Sequence, residues 1–304
     1  MKRLREAFGA ACTALLLLSG STAGATAAAD STAAAVPPGV PVSQCALCHD
    51  KAVSAFQTTH HGELSQSCTA CHGDTTEHLK SNLEKGVPGP IVSFKTMKPE
   101  EVNATCLKCH DKGHQSNWAG GLHDRRGVSC TSCHSVHSFQ SSHAQLKTKN
   151  EAETCYTCHT QIRNKQMRVS HHPVREGVIG CASCHDPHDG TKPKMVKGET
   201  VNETCLTCHA EKRGPFLWEH EPVRENCTTC HDAHGSNHEK LLVAKQPYLC
   251  QRCHLSTRHP GTLYDFRNTL VGASPSNRAV EHACKNCHQN VHGGNAPSGP
   301  YLGR

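Results

Sequence analysis

The sequence predicts a mostly irregular backbone with short α-helices, little or no sheet, and an elongated core packed by something other than side chains. Three observations lead there. Hydrophobic residues make up 36% of the 304 residues, below the about 45–50% usual for a soluble globular protein. Phe 6, Tyr 4 and Trp 2 are too few to supply the large surfaces that normally dominate burial. Against that deficit stand Cys 21 and His 26, residue types that bind cofactors and metals. The formal charge of +6 does not indicate a nucleic-acid surface, because Lys and Arg are scattered singly and form no helix-period stripe.

The N-terminus sets the compartment. Lys2, Arg3 and Arg5 form a positive start, Phe8 to Gly20 is a short apolar run, and Ala-x-Ala steps follow between Ala23 and Ala29. This pattern reads as a cleaved secretory signal over residues 1–29. Its apolar run falls short of the roughly 20 residues that span a bilayer, and no other segment approaches that length, so no transmembrane helix is expected. Cys12, inside the run, leaves with the signal. Residues 30–44 are rich in Ala, Ser, Thr and Pro and read as a mobile leader, since Pro37 and Pro38 interrupt any helix.

From residue 45 to 304 the chain is built on one motif. All 20 remaining cysteines fall in Cys-x-x-Cys-His: Cys45, Cys48 and His49; Cys68, Cys71 and His72; Cys106, Cys109 and His110; Cys130, Cys133 and His134; Cys155, Cys158 and His159; Cys181, Cys184 and His185; Cys205, Cys208 and His209; Cys227, Cys230 and His231; Cys250, Cys253 and His254; Cys284, Cys287 and His288. Chance would give on the order of 0.1 such motifs in a chain of this composition. The spacing has a chemical reason. Two thiols three positions apart reach the two vinyl groups of one porphyrin, and the imidazole that follows lies beneath the iron, so the motif reads as c-type heme attachment. Zinc knuckles do not require His after every second Cys, and ten disulfides within Cys-x-x-Cys would be reactive redox pairs and not structural staples. Ten covalently bound c-type hemes in a multiheme cytochrome c are the expectation.

Each iron needs a sixth ligand, and the 16 His outside the motifs recur with a pattern. In a frame that begins at each odd-numbered motif, a His follows the motif His after 11 to 13 positions, a second motif arrives, and another His lies three to six positions beyond it. The frames give His60 and His78, His123 and His137, His171 and His188, and His220 and His234. The fifth is irregular, with His259 and His292. HHPVREG and HEPVREN, which start at His171 and His220, align His171 and not His172 as the ligand. His61, His114, His143, His172, His238 and His282 are then surplus, although His61, His172 and His282 could replace His60, His171 and His259. The pairing of each distal His with a particular motif is not fixed by this pattern.

The frames define a two-heme module of about 50 residues repeated five times. Upstream of three odd motifs stand EEVNATCLKCH, NEAETCYTCH and ETVNETCLTCH, each with Thr before the first Cys, where it is expected to cap the motif helix. Roughly 27 mature residues per heme force neighbouring porphyrins close together, and the bulky apolar surface to be buried belongs to the cofactor. Removing residues 1–29 lowers the formal charge to about +4, and ten ferric hemes with ionised propionates bring the holoprotein near −6.

Function follows from coordination. A bis-His iron has no open position for substrate, so it exchanges electrons without catalysis; no enzyme activity and no catalytic residue are expected. A multiheme reductase would need one open iron, and the fifth frame is where it would lie. Ten motifs behind a signal peptide, with CHDPH at His185 to His188 and CHQNVHG at His288 to Gly293, resemble the periplasmic decaheme cytochromes of the MtrA/DmsE family from Cys45 to about Gly294. The resemblance implies an elongated heme wire of two pentaheme halves, about 45–170 and 171–304, inserted in an outer-membrane β-barrel porin. It implies electron exchange between a periplasmic or inner-membrane cytochrome and an outer-surface multiheme cytochrome or extracellular metal, in reduction or oxidation. A soluble periplasmic electron shuttle is the alternative.

Overall fold

The computed structural model describes residues 40–63, 67–87, 89–254 and 283–303. The expected signal peptide, most of the leader and the expected ligand His259 lie outside them. All described residues fall in one compact unit, Pro38–Arg304.

Among the described residues there is no sheet, and the helices are short. Helix α1 (Val42–Gln57) carries the first motif and bends at His49, where φ is −122° and ψ is 42°. The second motif lies in α2 (Ser67–His72). Helix α3 (Thr76–Lys85) stops at Gly86, whose φ of 65° supplies the left-handed cap. Pro99 opens α4 (Pro99–Leu107), where its missing N–H and fixed φ cost nothing. The rest are brief: α5 (Leu122–Arg125), α6 (Cys130–Cys133), α7 (Glu151–Tyr156), α8 (Thr160–Gln166), α9 (Val201–Leu206), α10 (Glu221–Glu225) and α11 (Tyr248–Gln251). The sixth, eighth and tenth motifs begin on single 3-10 turns.

The polypeptide buries few apolar side chains of its own. Among the described residues Val53, Phe56, Val102, Trp118, Leu146 and Leu302 form that set, and of these Val102 alone drops to 2% exposure. Hydrogen bonds at the motifs replace packing as the organising element.

One expectation is corrected. Thr105, Thr154 and Thr204 are not N-caps. Each lies inside its helix and donates its hydroxyl to the carbonyl four residues back, on Glu101, Asn150 and Thr200. The caps of α7 and α9 are Asn150 and Thr200, which accept from the N–H of Glu153 at 2.9 Å and of Glu203 at 3.1 Å. The capping residue must precede the first helical turn, and these helices begin four residues before the Cys.

Candidate functional site

Each motif lies near the next in sequence order. Within each module the first cysteines meet: Cys45 with Cys68, Cys106 with Cys130, Cys155 with Cys181, Cys205 with Cys227 and Cys250 with Cys284. Between modules the second cysteine of each even motif lies near both cysteines of the next odd motif: Cys71 near Cys106 and Cys109, Cys133 near Cys155 and Cys158, Cys184 near Cys205 and Cys208, and Cys230 near Cys250 and Cys253. Burial pushes the thiols of Cys45, Cys205 and Cys250 up to about 11. Those of Cys106 and Cys155 rise chiefly through the thiol hydrogen-bonded to each, Cys130 and Cys181.

Opposite the motifs, imidazole rings face each other in pairs. An iron bound by two imidazoles at about 2.0 Å sets the ring centroids roughly 6.2 Å apart. Four junctions between successive modules meet that spacing, each with two pairs. At the first, His110 faces His61 at 5.9 Å and His72 faces His137 at 6.1 Å. At the second, His159 faces His123 at 6.2 Å and His134 faces His188 at 6.0 Å. At the third, His209 faces His172 at 6.3 Å and His185 faces His234 at 6.0 Å. At the fourth, His254 faces His220 at 6.2 Å and His231 faces His292 at 6.1 Å. A ninth pair, His49 with His78 at 6.3 Å, stays within the first module.

Each junction is therefore a reciprocal exchange. The earlier module sends a His forward to the next odd motif, and the later module sends one back to the previous even motif. Burial lowers the proton affinity of His61, His137, His188, His234 and His292, which favours the neutral imidazole that ligates metal.

Two expected positions move by one residue. His61, not His60, faces His110, while His60 extends toward Glu63 at 4.0 Å with its side chain in solvent. His172, not His171, faces His209; His171 Nε2 is taken by Glu176 Oε1 at 3.0 Å and its Nδ1 by the Arg168 carbonyl at 2.7 Å. The alignment HHPVREG with HEPVREN misled because α10 starts directly after His220 while the His172 segment is non-helical. Of the remaining surplus, His114 lies 3.7 Å from Asp186.

In nine of these histidines Nδ1 is fixed by a backbone carbonyl, the arrangement typical of ligating imidazoles, whereas His61 Nδ1 is buried without a partner among the described residues. Even-motif His donate Nδ1–H to a downstream carbonyl: His72 to Val92 at 2.8 Å, His134 to Ala144 at 2.6 Å, His185 to Lys194 at 2.9 Å, His231 to Lys240 at 2.7 Å and His288 to Tyr301 at 2.7 Å. Distal His do the same across the junctions: His123 to Pro187 at 3.1 Å, His172 to Ala233 at 2.7 Å and His220 to Val291 at 2.9 Å. His78 donates to Gly89 at 3.0 Å.

Two supporting devices escaped the sequence reading. One is a left-handed residue pair after even motifs: Ala144 and Gln145, Lys194 and Met195, Lys240 and Leu241, with φ from 50° to 59°. The first carbonyl accepts from the motif His and the second from the residue after it, as in Asp186 N–H to Met195 at 2.8 Å. Its faint signal is an apolar residue 10 to 12 positions after the motif, with a Lys close by. The other device is an Asn three residues before the odd motif. Asn103 and Asn202 accept from the backbone N–H of Cys130 at 2.9 Å and Cys227 at 2.8 Å, tying each odd helix to its even partner. In the third module that position is Ala152, and the carboxylate of Glu151 accepts from the Ala182 N–H instead.

Comparison with known proteins places the same motifs. The family described as "Doubled CXXCH motif" matches residues 171–214 and 220–259, and "Cytochrome c-type protein NrfB-like" matches 68–158. The chain is 38% identical over 276 residues to the multiheme cytochrome MtrA of Shewanella baltica, over 86% of this chain and 80% of that protein. It is 26% identical over 133 residues to the cytochrome c-type protein NrfB of Escherichia coli, over 40% of this chain and 68% of that one. With the high-molecular-weight cytochrome c of Nitratidesulfovibrio vulgaris it shares 23% identity over 149 residues, 49% of this chain and 25% of that one.

Proposed function

The chain belongs to the MtrA family of multiheme cytochromes c, and from that premise we propose that its ten motifs hold ten c-type hemes as one electron path in sequence order. Electron transfer through covalently bound c-type hemes is the family's activity. The hemes supply reversible one-electron iron chemistry; the chain positions, ligates and insulates them.

The observation that carries the reading is the unbroken succession of neighbouring motif cysteines. Cys45 to Cys68, Cys71 to Cys109, and so on to Cys284, link every motif to the next without a break. Porphyrins tethered there succeed one another in the same order. The axial set is then each motif His with its facing ring: His49 with His78, His72 with His137, His110 with His61, His134 with His188, His159 with His123, His185 with His234, His209 with His172, His231 with His292, and His254 with His220. For His288 we assign His259, the distal position that the fifth frame supplies. The end modules close on themselves: the first keeps His78 for its own odd motif, and the fifth would keep His259 for its even one.

With a His on both faces, an iron has no position for substrate, which favours electron relay over a reductase. Donor and acceptor are then other redox proteins or a metal outside the cell. No helix among the described residues is long and apolar enough to cross a membrane. A chain with this much irregular backbone cannot face lipid, where each unsatisfied peptide group costs several kcal/mol. We therefore place the protein in the periplasm, sheathed within an outer-membrane β-barrel porin, with a periplasmic or inner-membrane cytochrome at one end. An outer-surface multiheme cytochrome or extracellular metal stands at the other.

Fractionation of native cells with gentle detergent extraction tests this. Heme-stained protein should migrate with a β-barrel at one to one. Release of all of it by osmotic shock, free of any barrel, would overturn the sheathed path and leave a soluble shuttle.

A further inference from the structure

Trp118 sits at the second junction, between two distal ligands. Its ring lies 6.3 Å from that of His123 and 6.2 Å from that of His188. His123 serves the motif of His159 and His188 that of His134, so one indole flanks the ligands of two successive hemes. The side chain is 7% exposed, and its Nε1–H has no hydrogen-bond partner among the described residues. A buried indole N–H normally has an acceptor.

The position of the ring is strictly set. Trp118 precedes His123 by five residues, and the loop that carries it is pressed against residues 187–190. There the Gly190 N–H donates to the Asn117 carbonyl at 3.3 Å. A Cβ on Gly190 would lie 2.1 Å from Gly121 Cα, so the two glycines permit an approach no other residue would. The same register at the first junction, five residues before His61, holds Phe56, whose ring lies 6.1 Å from His137. Packing on the distal imidazole is therefore a task that a plain phenyl ring performs one module earlier. What Trp118 adds is the N–H.

We propose that Trp118 is a positioning residue whose Nε1–H donates to a propionate carboxylate of one of the two hemes it flanks. Hemes attached at Cys130 and Cys133 and at Cys155 and Cys158 bring carboxylate acceptors to this junction. An N–H facing a propionate offsets part of its negative charge, which otherwise stabilises ferric iron, so Trp118 raises the potential of that heme relative to a Phe at the same place. The proposal rests on the paired-His reading above.

The test uses full-length holoprotein carrying 15N-indole tryptophan, fully reduced so that each low-spin ferrous iron is diamagnetic. Two indole N–H signals are expected, one of which disappears in Trp118→Phe. The Trp118 signal should lie downfield, and its exchange with deuterium should be slowed at least about a hundredfold relative to an unprotected indole. In redox titration Trp118→Phe should lower the potential of one heme and leave every iron low-spin. Random-coil shift and exchange for this N–H, or a Trp118→Phe titration superimposable on the wild type, would overturn the proposal. Should Trp118→Phe not assemble, Trp218→Phe assigns the remaining indole signal and the exchange measurement decides alone. Failure of the underlying pairing has a different signature: high-spin iron in the unmodified protein.

Discussion

His123 donates its Nδ1–H to the carbonyl oxygen of Pro187, 3.1 Å away and 64 residues along the chain. Pro187 immediately precedes His188, so the two distal positions of the second junction are tied to each other through the backbone. His172 with Ala233 and His220 with Val291 repeat the bond at the next two junctions. On the proposed pairing a module cannot complete its own coordination, since each draws a ligand from a neighbour and lends one in return.

The one-residue shift at the third junction separates two adjacent histidines. His172→Ala should convert one ferric heme, that of Cys205, Cys208 and His209, from low-spin to high-spin. His171→Ala should leave the spectrum unchanged, because His171 Nε2 is held by Glu176. Electron paramagnetic resonance of the two variants decides; the opposite result would restore His171 as the ligand.

His292 lies next to the tenth motif in sequence, yet faces His231 of the eighth at 6.1 Å. His292→Ala should therefore open the heme of Cys227, Cys230 and His231 and leave that of Cys284, Cys287 and His288 six-coordinate. Magnetic circular dichroism of the variant, compared with His231→Ala, identifies which iron has lost its ligand.

Lys240 holds φ at 55°, which a proline ring cannot adopt. In Lys240→Pro the carbonyl that accepts from His231 at 2.7 Å turns away, the imidazole becomes a weaker donor to iron, and ferric iron loses support. The potential of that one heme should rise in spectroelectrochemical titration, with little change in the other nine.

Asn103 is 3% exposed and accepts from the Cys130 N–H, while its amide group donates to the Val128 carbonyl at 3.2 Å. Asn103→Ala strands both partners, at a cost of about 1–3 kcal/mol. The expected outcome is a lower denaturant midpoint with all irons still low-spin. Ala152→Asn, at the same register in the third module, should give no such gain, since Glu151 already fills that place.

Gly190→Ala puts a methyl group 2.1 Å from Gly121 Cα. The junction must separate, and His123 and His188 sit on its two sides. Two hemes, those of His134 and His159, should become high-spin together; a single high-spin heme would mean that the two ligands are not mechanically coupled.

The cofactor was legible in the chain from its motifs alone, because covalent attachment and the axial His are local chemistry: Cys, two residues, Cys, His. The two-heme frame rests on the spacing that the first four modules repeat, the fifth being irregular. Seven of the distal positions that the frames single out, His78, His123, His137, His188, His220, His234 and His292, are those whose rings face a motif His. His60 and His171 are not, and nothing in the one-dimensional pattern distinguishes two adjacent histidines whose rings point to opposite sides of the backbone. The carbonyl clamps were invisible for a similar reason: a left-handed pair such as Lys240 and Leu241 uses ordinary residues, and any residue type offers a carbonyl.

By itself, then, the sequence determined that this protein is a multiheme cytochrome c with little sheet and a small apolar core, because five repeats of an attachment code leave too few side chains for any other interior. The tertiary structure decided which His answers which motif. Ligand exchange across a junction spans 34 to 65 residues, from His220 with His254 to His72 with His137. Over such distances the partner is chosen by how loops such as 117–121 and 187–190 dock, through backbone carbonyls and two glycines, and that docking is a property of the folded chain.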